Sequence, residues 1–333
     1  MLKPSSSITI VIRPTRLQGL RARWGTKAQA AFVLKRAHAI EDERKRASGT
    51  LLSKRSAPAA VEADFEEYSR EDATYQSSIE KLQRMLDFGL PIKVLDRSLV
   101  PNYDFWASRV VVVVGQDGLV ANTAKYVGDL PIVAVNPDPS RIDGILLPFA
   151  VDQARAAVGR VLDSKHRAQN VTLAEVTLND GQRMLAFNDF FVGSRSHVSA
   201  RYLLQWGGRR EPQSSSGVLV STGAGSTGWM SSVFNMASGV GMAFGGHDLH
   251  GLRLDRNDRR LIWAVREPFV SKASRAELVA GVLNDGQQLS VESLMPESGV
   301  IFSDGVEADY LPFNTGTIAR IGASRQTAKL VVP

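Results

Sequence analysis

The run Arg109–Val114, RVVVVV, constrains the chain more than any other feature. A strand with one wet face alternates polar and apolar side chains, whereas consecutive valines leave no face for water. Such a strand is covered on both sides, which is the habit of a parallel sheet with helices on its two faces. The run ends abruptly in Gly115-Gln116-Asp117-Gly118. Pro131–Asn136 (PIVAVN) repeats the pattern, and Ile8–Arg13 (ITIVIR) and Pro91–Leu95 read as further strands. Helix-compatible stretches lie between them: Lys27–Arg46, Glu62–Asp87 with Ile79, Leu82 and Leu86 on one face, and Leu119–Val127. The small, polar and basic segment Ala47–Ala60 reads as a flexible connection. This alternation predicts an N-terminal open, mostly parallel α/β (Rossmann-like) domain whose functional turns lie at the carboxyl ends of strands.

From about Val171 the texture changes to short alternating strands parted by Asn-Asp-Gly and Gly-Gly turns, as in VTLAEVTLNDGQRMLAFNDFFV and YLLQWGGRREP. LIWAVREPF, QQLSVESL, GVIFSDGV and TIARIG continue the style, which predicts a C-terminal antiparallel β-sandwich-like domain. The boundary falls in the basic stretch Arg160–Asn170, giving domains of 1–165 and 166–333, with the last strands free to return to the first.

Composition narrows the class. A chain of 333 residues, 44% of them hydrophobic, is long enough for two domains. No apolar run reaches the roughly 18–20 residues of a membrane span, and the start lacks the pattern of a signal peptide. The absence of cysteine excludes disulfides, thiolate nucleophiles and thiolate metal sites, and fits a reducing compartment, the cytoplasm. A net charge of +6 raises the question of a polyanionic partner. The basic residues of the first third alternate with Ala and Glu, without aromatic interleaving or a nucleic-acid module, so they read as solvated helix faces.

Three turns carry chemistry, and each has a plainer reading. Gly115-Gln116-Asp117-Gly118 lets backbone N–H groups approach a phosphate while the Asp117 carboxylate projects from a strand end; Asp-Gly is also an ordinary turn. Ser221–Trp229 (STGAGSTGW), between the strand Val218–Val220 and a helix Trp229–Ala237, is an anion cradle at a helix N-terminus. Its G-x-G-x-x-G (Gly223, Gly225, Gly228) stands among antiparallel strands, outside the βαβ setting of a dehydrogenase fingerprint. Asn188-Asp189 is a polar pair inside the apolar strand Phe187–Val192, where one of two successive side chains must face inward and find partners; alternatively the pair ends the strand in a turn. Ser226 lacks the first glycine of a nucleophile elbow, since Ala224 stands there. His247 and His250 lack a third metal ligand.

In order and spacing these turns resemble those of the NAD kinase family: a GGDGT turn, an Asn-acid pair on a strand, and an STPTGSTAY-like turn. Val135–Phe149, Asn188–Tyr202, Ser215–Trp229, Val265–Phe269 and Ser303–Ala319 are similar to the mitochondrial-type branch. The resemblance implies an α/β domain, a β-domain, and phosphorylation of the 2′-hydroxyl of the adenosine ribose of NAD by ATP, with Mg²⁺ arriving on the ATP. It makes Asp117 the base or orienting carboxylate. Gly115, Gln116 and Gly118 share its turn. Asn188 and Asp189 would hold the adenosine portion, while Thr227, Gly228, Trp229 and Ser232 line the dinucleotide pocket. Thr222, Gly223, Gly225 and Ser226 lie on the same turn, the last three near phosphates. No dedicated metal site, nucleic acid or membrane partner is implied; a homodimer or larger homo-oligomer is.

The chain departs from the family pattern at several of these positions. Gln116 and Leu119 replace a glycine and a threonine of GGDGT, and a Cβ at 116 crowds a phosphate or forbids a positive φ. Gly223 and Ala224 replace a proline and a threonine, Trp229 a tyrosine, and Asp189 a glutamate. The Gln116 and Leu119 changes leave open a non-catalytic NAD(P)(H)-binding module of the same fold, and a GGDG turn, found also in diacylglycerol-type kinases, leaves open a related kinase with a sugar or lipid acceptor.

Overall fold

The computed structural model describes residues 6–47 and 57–333. Residues 48–56 of the expected connection lie outside the described residues, and α3 already begins at Ala57. The chain packs as two compact units. One holds the residues up to Leu119, Val133–Ser164 and Pro333, and the other Val120–Ile132 and Lys165–Val332.

The first unit opens with β1 (Ser7–Ile12), α1 (Arg16–Trp24), α2 (Lys27–Ala47) and α3 (Ala57–Met85). Thr15 and Gln18 form a capping box that starts α1. Leu17, Ala30 and Phe65 make the small core that joins the three helices. Then come β2 (Ile92–Asp96), β3 (Ser108–Val114), α4 (Asp117–Ala124), β4 (Pro131–Asn136), β5 (Phe149–Ala150) and α5 (Ala154–Leu162), of which α4 beyond Leu119 and the first two residues of β4 count with the second unit. The strands run in the order β2-β1-β3-β4-β5. β1 is parallel to both β2 and β3, and β4 is parallel to β5. All five valines of β3 are buried, as a strand covered on both faces requires.

The second unit is a β-sandwich. Its strands are β6 (Arg167–Leu178), β7 (Arg183–Ala186), β8 (Asp189–Ser194), β9 (Ala200–Trp206), β10 (Arg209–Ser215) and β11 (Val218–Ser221). After α6 (Trp229–Ala243) come β12 (Leu261–Val265), β13 (Ala280–Leu283), β14 (Leu289–Ser293), β15 (Gly299–Ser303), β16 (Tyr310–Pro312) and β17 (Ile318–Val332). One sheet has the order β10-β9-β14-β17-β6-β7 and the other β13-β12-β11-β8-β15-β16. Trp263, Tyr202, Phe190 and Phe313, all fully buried, anchor the core between them. The Tyr202 hydroxyl donates to Gln213 Oε1 at 3.0 Å, so the polar end of the buried ring is satisfied. The end of β17 pairs in parallel with Pro131 and Ile132 at the start of β4.

Two elements differ from the expectation in ways that bear on the site. α4 starts at Asp117 itself, so the carboxylate sits in the first helical turn, where the helix dipole favours it. β8 starts at Asp189, so Asn188-Asp189 stands at the head of a strand rather than inside one. The cause is a side chain, Asp304, which takes the backbone N–H groups of Phe187, Asn188 and Asp189.

Candidate functional site

In the first unit the strands β1, β3 and β4 end beside the Gly115–Gly118 turn. Gly115 is buried; its N–H donates to the Val135 carbonyl at 3.4 Å, and a Cβ there would stand 3.1 Å from Leu119 Cδ2. Leu119 thus packs the core under the turn in place of a hydroxyl at the helix start. Gln116 is exposed and has an ordinary negative φ, so its Cβ strains nothing. Of the two costs expected of a Cβ at 116, backbone strain at a positive φ does not arise. Gly118 is exposed on the first turn of α4.

Asp117 is half-buried, and both its oxygens are engaged. Oδ1 accepts from Leu146 N–H at 2.7 Å and Oδ2 from Ile145 N–H at 3.2 Å. Those donors belong to the loop that follows β4. Asn136 braces that loop, donating to the Ile142 carbonyl at 2.8 Å and accepting from Asp138 N–H at 3.0 Å. Gly144, at φ +63, is what lets the loop pass so close, since a Cβ would lie 2.6 Å from Asn136 Nδ2. Each Asp117 oxygen keeps a lone pair for a substrate hydroxyl.

A cleft of about 190 Å³ lies at the same strand ends, lined by Arg13, Arg16, Glu71, Tyr75, Gln116 and Arg141 among others. Tyr75 donates to the Val114 carbonyl at 2.7 Å and accepts from Arg13 N–H at 3.0 Å, and burial pushes its hydroxyl up to about 12. Arg13 pairs with Glu71 at 3.0 Å and Arg141 with Glu67 at 2.6 Å. Sequence reasoning did not single out these residues. The signal for Arg13 was its place directly after the first strand.

In the second unit the Thr222–Trp229 turn is locked to the head of β8. The Thr222 hydroxyl donates to the Phe187 carbonyl at 2.6 Å, and Thr222 N–H to the Asn188 carbonyl at 2.9 Å. Gly225 abuts that same carbonyl; a Cβ on it would overlap the Asn188 oxygen and lie 2.6 Å from Ser221 Oγ. At Gly223 a Cβ would overlap the Asp255 carbonyl. Ser226 donates to the Gly223 carbonyl at 2.7 Å and accepts from Leu254 N–H at 3.3 Å. Thr222, Gly223, Gly225 and Ser226 are therefore buried braces of the turn.

Thr227, Gly228 and Ser232 are exposed. Trp229 is half-buried and stacks on Phe191, with centroids 5.9 Å apart and planes 10° apart, and Phe191 stacks on Phe302 at 4.9 Å. The Arg266 guanidinium stands 5.4 Å from the Trp229 ring centre. No side chain caps α6, and a cleft of about 560 Å³ follows that helix past Ser226, Asn235, Asp248 and Arg253.

Asn188 is half-buried, while Asp189 is 8% exposed and its Oδ1 has no hydrogen-bond partner. Burial, first, and the nearby Asp304 charge raise the Asp189 carboxyl to about 7, against the Ser221 hydroxyl, which lowers it. This is the inward-facing member of the pair that the sequence required. Lys125 and Asp304, which the sequence did not mark, form a buried ion pair at 3.4 Å beneath it. Among the described residues no group of three or more His, Asp or Glu side chains is placed to hold a metal ion.

No protein-family model matches the chain, and no curated protein sequence matches it significantly. Solved structures do match in fold. Yeast NADH kinase in complex with NADH aligns over 99% of this chain and 84% of its own, with a TM-score of 0.54 at 12% identity. An NAD kinase from Archaeoglobus fulgidus in complex with ATP aligns over 75% of this chain and 86% of its own, with a TM-score of 0.51 at 18% identity. The α/β unit followed by a β-sandwich is thus the fold that NAD(H) kinases have.

Proposed function

We propose that the chain is an NAD kinase of the mitochondrial-type branch, transferring the γ-phosphate of ATP to the 2′-hydroxyl of the adenosine ribose of NAD to form NADP. The observation that carries the reading is the head of β8. Asp189, with one unbonded buried oxygen, is held beside Asn188 against the Thr222–Trp229 turn. A buried carboxylate with spare acceptor capacity suits a ribose hydroxyl, and Asn188 offers both a donor and an acceptor to the adenosine. Thr227, Gly228, Trp229 and Ser232 then line the dinucleotide pocket, and Gly115, Gln116 and Gly118 lie near phosphates.

Asp117 accepts the proton of the attacking hydroxyl, or orients it, as that oxygen bonds to the γ-phosphorus and the bond to the bridging oxygen breaks, with ADP leaving. Its two backbone hydrogen bonds fix the carboxylate direction, which is the positioning that phosphoryl transfer chiefly needs. Mg²⁺ arriving on the ATP would supply charge neutralisation on its phosphates. The solved relatives in fold bind NADH and ATP, the two ligand classes proposed for this chain. A cytoplasmic homodimer or larger homo-oligomer engaged in NADP biosynthesis completes the reading.

One observation favours binding without turnover: Leu119 packs the core under the turn where the resembling family carries a threonine hydroxyl. The deciding experiment is NADP⁺ formation from purified protein with ATP, Mg²⁺ and NAD⁺. Asp117→Asn is expected to lower turnover by about 10²-fold or more. Gln116→Gly is expected to change it only a few-fold, since the turn is unstrained at that position. No turnover with any donor alongside NADH binding would leave the binding module.

A further inference from the structure

Resting on that reading, we infer that Lys125 and Asp304 are positioning residues that aim the Asn188-Asp189 pair at the dinucleotide. Asp304 stands just beyond the last rung of the β8–β15 ladder, Ser303↔Phe190. Its own N–H still donates to the Asp189 carbonyl at 2.9 Å. There the backbone ladder gives way to a side chain. The Asp304 carboxylate accepts from Asn188 N–H at 2.6 Å, Phe187 N–H at 3.0 Å and Asp189 N–H at 3.2 Å. Three consecutive N–H groups gathered on one carboxylate fix three peptide planes, and with them the directions in which Asn188 and Asp189 leave the chain.

The carboxylate is held in turn. Lys125, the first residue after α4, points its ammonium at Asp304 and donates to Ser303 Oγ at 2.7 Å. The Lys125 and Asp304 side chains are 2% and 1% exposed. Asp304 adopts φ +54, in the left-handed region that aspartate tolerates better than most residues, as the turn into Gly305 requires. Burial raises the Asp304 carboxyl, while Lys125 first and then the three N–H groups draw it back down.

A buried ion pair is a poor way to gain stability, because desolvating two charges consumes most of what their attraction returns. A pair of apolar side chains would fill the same space more cheaply. What the apolar pair cannot do is collect three N–H groups that have no strand partner. The arrangement is explained by the conformation it imposes on residues 187–189, the ones proposed to meet the ribose.

The test compares wild type with Asp304→Asn, Lys125→Met and Lys125→Arg, each verified as folded by circular dichroism and thermal melting. NADH binding and the separate KM values for NAD⁺ and ATP are then measured well below each melting temperature. Asp304→Asn and Lys125→Met are expected to weaken NADH binding and raise the KM for NAD⁺ about tenfold or more, with the KM for ATP within twofold; Lys125→Arg should recover much of the loss. NADH affinity within twofold of wild type in both folded variants overturns the inference. So does a parallel rise in both KM values, which marks general damage. If either variant does not fold, Ser303→Ala replaces it, removing only the Oγ partner of Lys125. A threefold rise in the KM for NAD⁺ alone supports the inference, and no change overturns it. Wild type that binds neither NADH nor ATP overturns the functional reading itself.

Discussion

The Asp189 carboxyl is raised into the physiological range. Shifted from an ordinary 3.8 to about 7, it binds a proton more tightly in the folded chain than in the unfolded one. Its contribution to stability is therefore full below pH 3.8 and is lost as pH rises through about 7. Asp189→Asn should gain stability relative to wild type across that window and then level off, as denaturant titrations at a series of pH values would read. Binding runs the other way: only the ionised carboxylate accepts freely from a ribose hydroxyl. NADH affinity should rise between pH 6 and 8 in wild type and stay flat in Asp189→Asn. Gly223 makes a purely steric prediction. With the Asp255 carbonyl where its Cβ would be, Gly223→Ala should cost about 2–3 kcal/mol in chemical denaturation. The proline usual at this position in the resembling family would meet the same carbonyl. Sequence gave the identities at both positions but not these environments, since the residues that create them lie far along the chain.

At the scale of elements, the patterns that were strongest locally were the most legible. The valine run identified β3 because periodicity and β-branching agree there, and Gly207-Gly208 identified the hairpin between β9 and β10. These glycines have φ +58 and +77 with Trp206 paired to Arg209 across them, the geometry of a two-residue turn that needs positive φ twice. Nothing lies within 4 Å of a Cβ built on Gly208. Gly208→Val should therefore pay only backbone strain, about 1–2 kcal/mol, measurable by thermal unfolding. Elements with mixed signals were harder to read. β17 runs on through Ser324-Arg325-Gln326 past a register shift between Ala323 and Thr327, where a polar break in sequence hides a single long strand. α6 continues to Ala243 through Gly239 and Gly241, residues that weaken a helix by propensity alone. The head of β8 was left between two readings, a strand interior and a turn, because no periodicity reports amides taken by a distant carboxylate.

For the molecule as a whole, two architectures were legible because their hydrophobic periods differ. The three glycine and polar turns were legible because each is a compact string of glycines and short polar residues. Identities of 12% and 18% to structures of the same fold show how little else of the sequence such a fold demands. Lys125 and Asp304 escaped notice because a buried ion pair has no local signature: a lysine after a helix and an aspartate in a turn are both ordinary. Their pairing belongs to a chain that does not divide at one point, since residues 120–132 belong with the strands that begin after Lys165. A recombination event that joined two relatives near residue 165 would carry Asp304 across without Lys125, and β17 without the Pro131–Ile132 edge it pairs with. Inheritance of the β-sandwich as an independent module is closed to this chain unless the short stretch from α4 to β4 travels with it.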